Sequence, residues 1–123
     1  MELHHAFLVC CGGAIGSLAR WAVGVLLFGK VPPQLVGFPW ATLAVNVLGS
    51  FALGTLAAWC ATRPGWRAFT VIGLCGGFTT MSSFSFDAVE MSRAGQWGMA
   101  GGYAASTLIG CLGGVWLGAE CVK

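Results

Sequence analysis

The chain has 123 residues, of which 57% are hydrophobic and 8% charged, with a formal net charge of +2. Soluble domains carry about 25% charged residues, so an ordinary soluble fold is excluded and the chain reads as an all-α integral membrane protein with one domain, residues 1–123. The few cations form no basic face, and no nucleic acid is expected as a partner.

Long apolar stretches occupy 6–28, 40–61, 68–91 and 97–119. Each has roughly 23 residues and, at about 1.5 Å per residue, reaches across a hydrocarbon core of about 30 Å. Short connections make them four neighbouring transmembrane helices running up and down. The first is not read as a cleaved signal peptide, because MELHH lacks a positive start and Arg20 interrupts the apolar run. Arg63, Arg67 and Lys123 would face one side of the membrane, with Lys30 and Arg93 on the other. With almost no lysine and arginine bias, nothing fixes one orientation. The six cysteines show no CxxC spacing and read as small apolar packers. Adjacent His4 and His5 point to different helix faces and read as solvated terminal residues.

In the first helix, Gly12 and Gly16, with Gly13 and Ser17 beside them, give small residues four apart, a spacing that lets helix backbones approach closely. Arg20 is costly inside a membrane unless it pairs, caps carbonyls or snorkels. Two roles stand open for it, a structural anchor or the attraction of an anion into a vestibule. Residues 30–39, KVPPQLVGFP, read as a loop, and Trp40 stands where an interfacial aromatic belongs. The second helix places Thr42, Asn46 and Ser50 on one face. An unpaired buried amide costs about 1–3 kcal/mol, so Asn46 either glues helices together or continues a polar track along a pore.

Residues 62–67, TRPGWR, read as a solvated turn. The third helix contains GLCGGFTTMSSFSFDAVE at 73–90, and paired glycines followed by Thr79 and Thr80 predict a break near its middle. Irregular backbone at membrane depth survives only where protein buries it or where it lines a wet cavity, so the break marks a site. Asp87 and Glu90 lie on one side of this helix and are expected at the aqueous boundary or paired with Arg20 or Arg93. In the last helix Gly110, Gly114 and Gly118 form a small ridge, and Tyr103, Thr107 and Cys111 a second, polar face. No internal repeat is visible, so any two-fold arrangement would come from a second copy of the chain.

Three blocks, GGAIGSLAR at 12–20, ATLAVNVLGSF at 41–51 and GLCGGFTTMSSFS at 73–85, together resemble the Fluc (CrcB-type) fluoride channels over nearly the whole chain. The resemblance implies an antiparallel, dual-topology homodimer in a prokaryotic inner membrane, crossing the lipid bilayer several times. It implies passive export of fluoride through two pores at the dimer interface. Asn46, Met81, Ser83, Phe84, Tyr103, Thr107 and Thr42 would line the fluoride path, with Arg20 at the vestibule. The backbone carbonyls of Gly76 and Thr79 would hold a structural sodium ion, Na+, at the dimer centre. Met81 stands where the family has the first of two pore phenylalanines, and Asp87 where it usually has glutamate.

An alternative of another class is a small proton-coupled multidrug exporter, which is also a dual-topology four-helix protein. It needs a membrane-embedded carboxylate, and the first helix offers Arg20 instead. An enzyme is not expected, since no nucleophile, base and orienting group can be assembled.

Overall fold

The computed structural model describes residues 3–29 and 37–123. Lys30, and with it residues 30–36 of the expected loop, lies outside them. The regular elements among the described residues are all helices, with no strand among them. Helix α1 (Leu3–Val23) runs on into a wider π turn, Gly24–Phe28. Helix α2 is Trp40–Trp59. Helix α3 (64–78) opens with Pro64–Arg67, widens into a π-helical stretch at Ala68–Cys75 and closes with Gly76–Phe78. Helix α4 is Met81–Arg93 and α5 is Trp97–Glu120. Counting α3 and α4 as one interrupted span, four helices are long and apolar enough to cross a membrane, and the protein is a multi-pass membrane protein.

Residues 64–67, expected in the solvated turn, belong instead to α3. Pro64 occupies the first helical turn, where its missing N–H has no helical partner to lose and its fixed φ suits the helix. Farther on, Thr70 donates its hydroxyl to the Trp66 carbonyl at 2.7 Å, a back-bond of the kind that bends helices.

Two helix pairs form the bundle. In the first, α1 lies against α3 with glycine as the contact. A Cβ on Gly12 would stand 2.2 Å from the Phe69 carbonyl oxygen, and one on Gly16 2.2 Å from that of Leu74. In the second, α2 lies against α5, where a Cβ on Gly54 would meet the Val115 carbonyl oxygen at 2.2 Å and one on Gly118 that of Phe51 at 2.2 Å. With lipid outside, apolar surface gains little by leaving it, and close backbone packing replaces hydrophobic drive. The small ridges of the first and last helices therefore pack against helices in the same chain.

The pairs are joined where α4 turns into α5. Gly95 adopts φ 75°, Gly95 N–H donates to the Ser92 carbonyl at 3.0 Å and Gln96 N–H to the Met91 carbonyl at 2.9 Å. This left-handed closure is open to glycine at little strain. Below it Met91, Ala100 and Tyr103 are buried, with Phe38, Leu43, Phe84 and Ala88 packed around them.

Candidate functional site at the helix break

Thr79 and Thr80 leave the helix for extended conformations, with φ and ψ of −81° and 158° at Thr79 and −151° and 109° at Thr80. Both N–H and hydroxyl of Thr79 donate to the Cys75 carbonyl, at 3.0 and 2.9 Å, and so finish α3. Thr80 N–H turns away from the Gly76 carbonyl four residues back and donates to Asn46 Oδ1 at 2.7 Å. Asn46 Nδ2 returns a bond to the Thr80 carbonyl at 3.0 Å. The Thr80 hydroxyl then accepts from Ser83 N–H at 3.2 Å and caps α4. A side-chain amide on α2 thus does for one residue of α3 and α4 what the next helical turn would have done.

The break falls on the threonines. Gly76 and Gly77 remain helical, and Gly77 serves packing, since a Cβ there would stand 2.5 Å from the Gly13 carbonyl oxygen.

Beside the break a cleft of about 120 Å³ is lined by Arg20, Thr42, Thr80 and Ser83 over a floor that includes Ala41 and Val45. A water needs about 10–15 Å³ of such space, so the cleft has room for several waters or a partly hydrated small ion. Arg20 reaches across from α1, with Nη1 3.5 Å from the Thr79 carbonyl oxygen. This is the carbonyl-capping option among those open to a membrane arginine. Ser83 Oγ accepts from the Thr80 hydroxyl at 3.1 Å, which leaves the Ser83 proton free to donate into the cleft. The Thr42 hydroxyl already donates to Asp87 Oδ2 at 2.9 Å. The proton donors of the cleft are therefore Arg20 and Ser83.

Asp87 is held by two hydroxyls. Its Oδ2 accepts from Thr42 and, at 3.2 Å, from the hydroxyl of Tyr103. Neither arginine is its partner. The contact is direct despite the short side chain, because Tyr103 is fully buried and aimed from α5. Glu90 does pair with Arg93, at 3.1 Å on the exposed end of α4, where such a pair contributes little. Phe84 packs its ring 5.1 Å from that of Tyr103, and Phe38 meets Tyr103 edge-on at 5.4 Å.

Among the residues singled out in the sequence, Arg20, Thr42 and Ser83 come together in the cleft, with Asn46 behind it on Thr80. Phe84 and Tyr103 lie one layer in. Thr107 is buried on α5, and among the described residues its hydroxyl has no hydrogen-bond partner. Met81 is 68% exposed, and Gly76 is exposed with open space where a Cβ would be. Ser50 turns toward α5, where a Cβ on Gly114 would lie 3.5 Å from its own. The stripe on α2 thus divides between two partners. Thr80, the hub of the arrangement, was expected only as part of the break and not as a site residue. The signal for it was local: a threonine directly before a helix with serine three residues on, the pattern of an N-cap.

The family model for "CrcB-like protein, Camphor Resistance (CrcB)" matches residues 7–119. A "fluoride-specific ion channel FluC" from Agrobacterium fabrum is 44% identical, covering 90% of this chain and 90% of its own. Proteins of the same name from Opitutus terrae and Rhodospirillum centenum are 41% and 40% identical, covering 89% and 94% of this chain and 86% and 92% of their own. The matched span, 7–119, reaches every helix, and the chain belongs to the CrcB-like family.

Proposed function

We propose that this protein is a fluoride-selective channel of the inner membrane, letting fluoride leave the cytoplasm down its gradient, and that it is not an enzyme. The observation that carries this reading is the donor-lined cleft at the Thr79–Thr80 break, in a chain whose relatives bear the name fluoride-specific ion channel. A fluoride ion entering the cleft would give up water for the Arg20 guanidinium and the Ser83 hydroxyl. A small anion with concentrated charge gains most from fixed donors, so these donors would favour fluoride over chloride.

Asn46, whose amide is held by Thr80, then acts on the path by fixing the break. Thr42 and Tyr103 act by holding Asp87, with Phe84 and Thr107 as wall. Two donated hydroxyl protons dampen the Asp87 charge beside the path. This also disfavours the proton-coupled exporter, which needs a carboxylate open to a cationic substrate.

The homodimer belongs to the same proposal. Gly76, Met81, Ser82 and Ser85 are exposed at the break, and irregular backbone at membrane depth needs protein cover. A second copy in antiparallel orientation, which the near-absent charge bias permits, would supply it and close two pores. The structural sodium ion also fits the residues present. The Gly76 carbonyl has lost its helical donor to Asn46, its surroundings are open, and carbonyl oxygen suits a hard cation. The Gly76 carbonyl and the second lone pair of the Thr79 carbonyl, the first being taken by Arg20, would hold the ion together with those of a second copy, and its charge would favour anions nearby. Met81, exposed at this face, would bring a flexible thioether to the position of a family ring.

Reconstitution into liposomes with a fluoride electrode tests the proposal. Fluoride efflux with chloride retained is expected, and chloride leaving as readily as fluoride overturns it. Tags at each terminus, accessible from both sides in a mixed population, are expected for dual topology; access from one side alone contradicts it.

A further inference from the structure

The end of the bundle where α2 turns into α3 carries an arrangement that the cleft does not use. Trp59 closes α2 and Trp66 lies in the first turn of α3, and their rings meet at 5.7 Å and 70°. Trp66 meets Phe69 in turn at 6.5 Å and 84°. Beside Trp66 lies a hollow of about 420 Å³ between α1 and α3, walled by Leu8, Gly65, Trp66 and Phe69. The guanidinium carbon of Arg63 stands 4.7 Å from the centre of the Trp59 ring, and Arg67 is exposed one residue beyond Trp66. Among the described residues neither arginine has a carboxylate partner, since Glu90 pairs with Arg93, Glu120 with Lys123, and Asp87 with two hydroxyls.

We propose that this corner seats one anionic phospholipid, with an acyl chain in the hollow and the headgroup phosphate on Arg63 and Arg67. The inference rests only on the chain crossing a membrane and is independent of what the cleft conducts. An apolar hollow in the outer wall of a membrane-spanning bundle faces lipid, and tryptophans beside a helix end mark the depth where tails meet headgroups. Arg63 sits over the Trp59 ring, and the fork of N–H donors of a guanidinium matches phosphate oxygens two at a time. A free phosphate would satisfy the arginines and leave the hollow unfilled. A zwitterionic lipid would fill the hollow but bring its own cation toward two unpaired ones. The anionic lipid satisfies both halves.

The test is native mass spectrometry of the whole protein, titrated separately with phosphatidylglycerol and phosphatidylcholine. The wild-type chain is expected to retain phosphatidylglycerol in preference. A headgroup gains about 5-fold in association per basic residue near the surface, so Arg63→Gln with Arg67→Gln is expected to weaken retention of phosphatidylglycerol by about 30-fold. Phosphatidylcholine should be unaffected. Leu8→Trp, which fills the hollow and leaves both charges, is expected to weaken retention of both lipids. Should it fail to fold, Gly65→Leu reads the same quantity from the other wall. Equal retention of the two lipids by the wild-type chain overturns the proposal. So does a phosphatidylglycerol preference that survives loss of both arginines, or filling variants that hold both lipids as well as wild type.

Discussion

Asn46→Ala removes the amide that holds the helix break, and its consequence can be worked from two bonds. Thr80 N–H and carbonyl lose partners at 2.7 and 3.0 Å in a residue that is 7% exposed. A buried backbone group left unpaired costs about 1–3 kcal/mol, which gives roughly 2–6 kcal/mol for the two. Measured hydrogen bonds between membrane helices average about 0.6 kcal/mol, which sets a floor of roughly 1 kcal/mol. Asn46→Asp disturbs the same pair of bonds by charge rather than by loss. It keeps an oxygen for Thr80 N–H but turns a second oxygen on the Thr80 carbonyl and adds a buried charge beside the cleft. Both variants are expected to melt below wild type in detergent, and both to slow fluoride efflux from liposomes. An alanine variant that melts with wild type and conducts at its rate would refute the claim that Asn46 holds the break.

The remaining predictions use the same two measurements. Gly54→Val is expected to separate α2 from α5 and lower the melting temperature, because even its Cβ would meet the Val115 carbonyl oxygen at 2.2 Å. Gly113→Ala on the same α5, with nothing within 4 Å of its Cβ, is expected to be neutral. Gly95→Ala, at φ 75°, is expected to cost about 1 kcal/mol in the melt through left-handed strain and leave efflux unchanged. Ser83→Ala removes a cleft donor while Thr80 N-caps α4 as before, so efflux should fall with little change in melting.

The sequence made the four spans legible because apolar length is a local property, and the break was legible because hydroxyl-rich polar residues stand in an apolar run. Its exact place was less so. Gly76 and Gly77 look like the weak point, yet an amide from α2 decides the matter at Thr80, more than thirty residues away in sequence. The small-residue ridges showed that helices would approach closely without showing which ones. The partners of Asp87 were illegible for a related reason: Thr42 and Tyr103 arrive from two other helices, and no spacing around Asp87 records them. Thr107 remains as the sequence suggested, a hydroxyl facing inward, and nothing local says what it bonds.

The cleft draws its donors from different helices, so its geometry depends on how closely those helices lie. Arg20 stands one turn beyond Gly16 on α1, and the two α1 glycines fix the distance of that helix from α3. A Cβ on Gly16 would lie 2.2 Å from the Leu74 carbonyl oxygen and 2.9 Å from Phe78 N, both backbone atoms that cannot swing aside. Gly16→Ala should therefore push α1 outward at the level of the break. Arg20 Nη1, already 3.5 Å from the Thr79 carbonyl oxygen, would then lose that contact, and hydrogen bonds weaken steeply beyond this range. The variant keeps every polar group of the cleft, so a fall in fluoride efflux would be the effect of position alone. Efflux at the wild-type rate from a well-folded Gly16→Ala protein would mean that Arg20 does not need its place against the break, and the anchor would have to be sought elsewhere on α1.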